Sequence, residues 1–252
     1  MGIDVVDLRS FYGSPLGRVA ARLVGRAVDN FWGQTAGLRV LGLGYATPYL
    51  APVRAGAERT LAFMPASQGV VNWPASGLSA SALVDPMMMP LPDASIDRVL
   101  LVHAIESVES PTELLYEVWR ILTPGGRIIV VAPNRRGLWA RVDTTPFGHG
   151  QPYSRSQLNR LMRETLFSPE AWAETLYVPP FPGWFLLRTA VAWERVGISL
   201  SLPFAGLHVV EATKQLYRPV TVRQTRRVSR ASPVLIPAPA SRSTVERRSG
   251  AP

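Results

Sequence analysis

The sequence has no cysteine, three histidines and a single lysine, Lys214. Without thiols it can build neither a disulfide framework nor a thiolate metal site, and three scattered histidines leave too few ligands for a metal centre. No stretch approaches the roughly 20 uninterrupted apolar residues that cross a bilayer. The N-terminus, MGIDVVDLRSFYGSPLGR, lacks the basic start and continuous apolar run of a signal peptide, so a soluble, cytoplasmic chain is expected, with no transmembrane segment. The formal charge of +9 invites a nucleic-acid partner, but residues 218–252 hold eight arginines against one acid, Glu246, and so carry seven of those nine charges. That segment is rich in Arg, Ser, Pro and Ala and poor in large apolar residues, the composition of a disordered tail. Its RQTRRVSR run offers phosphate contacts without interleaved aromatics, so binding of nucleic acid through it should be weak and salt-sensitive.

What is present is apolar material, 47% of 252 residues, enough for one sizeable core. The chain organises around LRVLGLGYATPYL, residues 38–50. A buried-strand run, Leu38 to Leu41, meets Gly42 and Gly44 and then the helix-opening Thr47-Pro48, a strand breaking sharply into a helix. Glycine there lets a backbone approach a ligand closely, and the helix start offers unpaired amides.

The flanking segments fit an α/β sheet. Before the turn, Ser14-Pro15 opens an amphipathic helix with Leu16, Val19, Ala20, Leu23, Val24 and Ala27 in its stripe, which either covers the open edge of a pocket or packs on the sheet. After it, Thr60 to Met64 reads as a second strand, Gln68 to Trp73 as a third, and Ile96 to Val102 as a buried central strand ending at His103. A helix from Pro111 buries Leu114, Leu115, Val118, Ile121 and Leu122 and stops at Pro124-Gly125-Gly126, before the strand Arg127 to Ala132. Trp172 to Val178 reads as a sixth strand region and Leu207 to Lys214 as a seventh, in which His208 has a structural reading. The helix from Trp184 is apolar around most of its circumference, so residues 184–197 are expected to be buried or to meet a protein partner or a second copy.

LPDASIDRVLLVHAIE, followed by VWRILTPGGRIIVVAPN, resembles the class I S-adenosylmethionine-dependent methyltransferases, in particular the small-molecule branch related to ubiquinone and menaquinone methyltransferases. The resemblance spans about residues 38–167, since YSRSQLNRLMRETLF is similar to the family's next helix. It implies a Rossmann-like, seven-stranded, doubly wound sheet, mostly parallel with one antiparallel edge strand at Leu207 to Lys214. The expected layout is an N-terminal helical segment at 1–33, the methyltransferase-like domain at 34–217 and the tail at 218–252.

Carried onto this chain, the resemblance puts S-adenosyl-L-methionine at Gly42, Gly44, Tyr45 and Thr47, its ribose beside Met64, its adenine near Asp85, Pro86 and Met87, and its sulfonium beside His103. The sequence departs from the family at three places. Gly42 replaces the acid before the first glycine, Ala46 and Pro48 replace two later glycines, and Met64 replaces the ribose acid. Two lost charged contacts at about 1.5–3 kcal/mol each predict weak cofactor binding. A Gly44→Val substitution is expected to fill cofactor space while sparing the fold. The loop after the fifth strand holds the acceptor candidates: His149 and Tyr153 as proton acceptors, and Arg135, Arg136 and Arg141 as anion clamps. The function expected is methyl transfer to a small-molecule acceptor. The alternative is a catalytically inactive relative that binds a partner or ligand.

Overall fold

The computed structural model describes residues 3–200 and 202–217; the tail expectation falls outside them. Two helices open the chain. Asp4 caps α1 (Val5–Gly13) by accepting from the Val6 and Asp7 amides at 2.6 and 3.1 Å, and Ser14 caps α2 (Pro15–Trp32) with Pro15 in the first turn. The sequence pattern revealed only the second of these. The chain continues through β1 (Arg39–Gly44), α3 (Thr47–Arg54), β2 (Arg59–Pro65), β3 (Ser81–Val84), β4 (Ile96–Val102), α4 (Pro111–Ile121) and β5 (Leu122–Pro133). It ends with α5 (Arg155–Glu164), β6 (Phe167–Thr175), α6 (Trp184–Ser199) and β7 (Leu207–Lys214).

The seven strands form one sheet in the order β3-β2-β1-β4-β5-β7-β6. Its first five strands are parallel, and β7 runs antiparallel to both neighbours. The antiparallel strand is the one expected, but it is not the edge strand. β7 is buried along nearly its whole length between β5 and β6, and β6 takes the edge. The physical reason is readable in β6, where Pro169 lacks an amide and the register slips between Pro169 and Ala171, features a sheet tolerates at its margin. Two other boundaries move as well. Gln68 to Trp73 is not a strand; the third strand is Ser81 to Val84, and β6 begins at Phe167 rather than Trp172.

Alternation along the strands feeds two cores. On one face Val40, Leu100, Val102, Ile129 and Val209 meet Leu23, Val24 and Val28 of α2 together with Tyr49 and Leu50 of α3. On the other, Leu41, Val99, Leu101, Val130 and Val210 meet Leu114, Leu115 and Val118 of α4 and Leu158 and Met162 of α5. Glu194 pins α6 to the end of β6 by accepting from the Leu176 and Tyr177 amides, both at 3.1 Å. α6 buries only Ala190 and Gly197 and leaves Trp184, Phe185, Val196 and Ile198 exposed, so of the two expectations, a buried helix or one that meets a partner or second copy, the first fails. No helix among the described residues is long and apolar enough to cross a membrane.

Candidate active site at the β1 and β4 strand ends

The strand order reverses between β1 and β4, and their carboxyl ends open the crevice where α/β sheets bind ligands. Gly44 makes the turn with φ +82, and a Cβ there would run into the Val102 carbonyl oxygen, the acceptor of the Tyr45 amide at 2.8 Å. Glycine is therefore required by the close approach of two backbones. The expectation that Gly44→Val spares the fold fails for that reason. Gly42 faces the opposite way, where a Cβ would lie 2.7 Å from both Ala46 Cβ and Leu50 Cδ1. Its role is to let α3 pack on β1.

Above this turn lies α1. The Tyr12 ring stacks on Tyr45 with centroids 5.3 Å apart and planes at 23°, and its hydroxyl meets Tyr49 Oη at 3.1 Å and His103 Nε2 at 2.9 Å. His103 is 1% exposed, in the left-handed region at φ 52, with its ring 4.6 Å from that of Phe147. Its Nδ1 lies 3.3 Å from Oε1 of Glu106, itself buried. A proton on Nδ1 facing that carboxylate leaves Nε2 to accept from Tyr12, which in turn accepts from Tyr49. Burial and the Tyr49 neighbour push the Tyr12 phenol well above its ordinary range, so it stays a donor at any working pH. Beside this cluster Gln68 donates to the His103 carbonyl at 3.1 Å, and its own backbone carbonyl accepts from Val5 of α1 at 2.7 Å. Among the described residues Gln68 Oε1 and both Glu106 oxygens are buried without a hydrogen-bond partner.

Of the residues singled out from sequence, Gly42, Gly44, Tyr45, Thr47 and His103 share this crevice and are buried. Met64, at the end of β2, is fully buried, with its sulfur accepting from the Val71 amide at 3.4 Å. Asp85 is exposed, one carboxylate oxygen closing its own turn onto the Met87 amide at 2.9 Å, with Pro86 and Met87 half-buried beside it. Tyr153 donates to the Ile105 carbonyl at 3.1 Å, and burial, with Glu106 nearby, raises its pKa to about 12. That phenol holds the loop and is no base near neutrality. His149 lies apart from the crevice, on a cavity of about 820 Å³ between α1 and the loop after β5, where Phe11, Asp7 and Asp143 also line the wall. Its Nε2 lies 2.8 Å from the Asp143 carbonyl, so Nε2 carries the proton and Nδ1 keeps a free lone pair. Tyr12, Tyr49, Gln68, Glu106 and Phe147 were missed; only the Phe11-Tyr12 pair ahead of the glycine turn hinted at an aromatic plug.

Residues 41–130 match a family model described as a methyltransferase domain. The chain has the class I methyltransferase-like fold. The demethylmenaquinone methyltransferase of Deinococcus radiodurans is 37% identical over 70 residues, 27% of this chain and 29% of that protein. The protein of the same name from Thermus thermophilus is 28% identical over 179 residues, 69% and 71% of the two chains. Matches to two of the curated relatives span only 29% and 44% of their length. Among solved structures, a methyltransferase from Thermotoga maritima described as a "possible histamine N-methyltransferase" superposes with a TM-score of 0.57 at 19% identity, covering 84% of this chain and 96% of that one. Likeness to S-adenosylmethionine-dependent enzymes points to that cofactor. In this crevice Tyr12 forms an aromatic plug stacked on Tyr45, beside the Gly44 turn where that cofactor is expected. The groups beneath the plug nonetheless suit one part of it. The unpartnered Gln68 Oε1 and Glu106 carboxylate are acceptors of the kind an ammonium group needs.

Proposed function

We propose that the chain is an S-adenosylmethionine-dependent methyltransferase for a small-molecule acceptor whose cofactor crevice is gated by its own N-terminal helix. The observation that carries this reading is Tyr12, an aromatic plug seated above buried acceptors that it leaves unsatisfied. An unpaired buried acceptor costs about 1–3 kcal/mol, so the plugged state holds a standing incentive to admit a polar guest. When bound, the cofactor would supply an activated methyl group on its sulfonium. Glu106 and Gln68 would receive its ammonium, the Gly44 turn would let the backbone approach it, and the free oxygen of Asp85 would accept from its exocyclic amine. The cavity beside α1 is the acceptor compartment in this reading, with Nδ1 of His149 available to take a proton and Phe11 supplying an apolar wall.

A second reading, a relative that binds no cofactor and serves as a partner-binding or ligand-binding module, is favoured by the buried Met64 and the occupied space at Gly42. Calorimetry with S-adenosylmethionine and S-adenosylhomocysteine on the wild-type chain and on Tyr12→Ala separates the two. Gating predicts that the variant, shown folded by circular dichroism, binds about tenfold tighter than wild type or better. Absence of heat from both proteins at millimolar cofactor removes the methyltransferase reading and leaves the second.

A further inference from the structure

His208 stands two strands away from the cofactor crevice and faces a different cavity. It occupies the first inward position of β7 on the α5 face, in series with Val210, Ala212 and the buried Lys214, whose ammonium, unlike the His208 ring, has a partner in the Leu122 carbonyl. Its side chain is 4% exposed, and among the described residues neither ring nitrogen has a hydrogen-bond partner. The nearest carboxylate, Oε1 of Glu174 across the strand pair, lies 3.5 Å from Nδ1, while the other Glu174 oxygen accepts from Tyr177 at 3.4 Å. A buried imidazole with two idle nitrogens is a costly thing to keep.

The cavity it lines measures about 590 Å³ and opens at the carboxyl end of β5. Across from His208 is the first turn of α5. Ser154 caps that helix by taking the Gln157 amide at 3.2 Å, and the amides of Arg155 and Ser156 have no partner within a helix. Arg155 and Arg136 line the same cavity, and neither forms an ion pair among the described residues. The Arg155 guanidinium is held 5.0 Å over the Trp172 ring, which itself meets the His208 ring edge-on. Two free cations and a helix start outweigh the one carboxylate that lines the cavity, Glu174, and favour negative charge at the Arg155 end. The neutral imidazole offers one donor and one acceptor at the other.

We propose that this cavity binds a small molecule carrying a carboxylate or phosphate, its anionic group at Arg155, Arg136 and the start of α5, and a hydroxyl or amine against His208. The site is independent of the cofactor crevice and of any methyl transfer there. Burial, reinforced by the Arg155 charge, lowers the His208 pKa to about 4, so the free site holds an uncharged ring that an arriving anion would make easier to protonate.

Imidazole NMR signals of the full chain in the absence of S-adenosylmethionine test this, with inorganic phosphate and benzoate as probes and sodium chloride at matched ionic strength as control. The His208 signal is assigned by its loss in His208→Gln; if that variant does not fold, His149→Gln and the proximity of the Trp172 ring identify it. The expected result is a saturable shift of His208 with phosphate, with benzoate or with both, which tells phosphate recognition from carboxylate recognition. The anion should raise the His208 pKa and leave His149 unmoved. In Arg155→Gln, an exposed change, the midpoint should weaken about tenfold or more. A His208 signal that ignores both probes, that moves equally with chloride, or that responds unchanged in Arg155→Gln overturns the proposal.

Discussion

Tyr12→Phe removes one oxygen atom and leaves the aromatic plug in place, so it isolates the hydrogen bonds from the packing. That oxygen links Tyr49, at 3.1 Å, to His103 Nε2, at 2.9 Å, inside a buried cluster. Its loss forfeits two bonds worth about 1 kcal/mol net each and strands two buried groups, one of which can turn toward a new partner; about 3 kcal/mol is the resulting estimate. For a domain of this size 1 kcal/mol corresponds to about 2–4 °C, so the melting temperature should fall by roughly 6–12 °C. Differential scanning calorimetry at neutral pH measures it, and Tyr12→Ala, which also removes the ring stacked on Tyr45, should fall further. A Tyr12→Phe protein that melts within about 1 °C of wild type would mean that α1 is not docked on His103 in solution, and the plug would vanish from the argument.

Two further outcomes follow from the same geometry. Gly44→Ala should destabilise the domain by more than about 1 kcal/mol through its positive φ alone, with the Val102 carbonyl clash added, and denaturant unfolding should register this whether or not cofactor is present. The depressed pKa of His208 gives a pH dependence of definite sign: between about 6.5, the unfolded value, and about 4 the unfolded chain takes up a proton that the folded one refuses. Stability should therefore be full above that window and drop by on the order of 3 kcal/mol across it as pH falls, a slope that His208→Gln should flatten in urea titrations at stepped pH.

The sheet was legible because its signals are local. A four-residue apolar run into a glycine turn, a buried strand at Val99 and a Pro-Gly-Gly break before Arg127 each constrain the chain within a few residues, and their order specifies the winding. What sequence could not supply was long-range. Pro169 suits β6 to a sheet's margin, but no local signal names β7 as its partner, and the apolar series Val70-Val71 made Gln68 to Trp73 read as a strand. The turn at Gln68 instead gives its backbone to α1 and its side chain to His103. No sequence signal marked Glu106, yet a one-turn return after His103 buries it beside the imidazole. Tyr12 is the hardest case, because its partners Tyr45, Tyr49 and His103 lie on two other elements, and no spacing rule links a first-helix tyrosine to them.

Gly42 and Ala46 are coupled by packing. An acid at 42 would project a Cβ to within 2.7 Å of the Ala46 methyl and of Leu50, so those two neighbours block it. With glycine at 42, a methyl at 46 is free to close the gap, and Leu50 fills the remainder, fully buried. Gly42→Asp alone would have to push α3 off β1. If the chain accepts an ammonium group in this crevice, the acceptors must come from the opposite wall. That is where Gln68 and Glu106 hold unpaired oxygens beside a histidine already engaged by Tyr12.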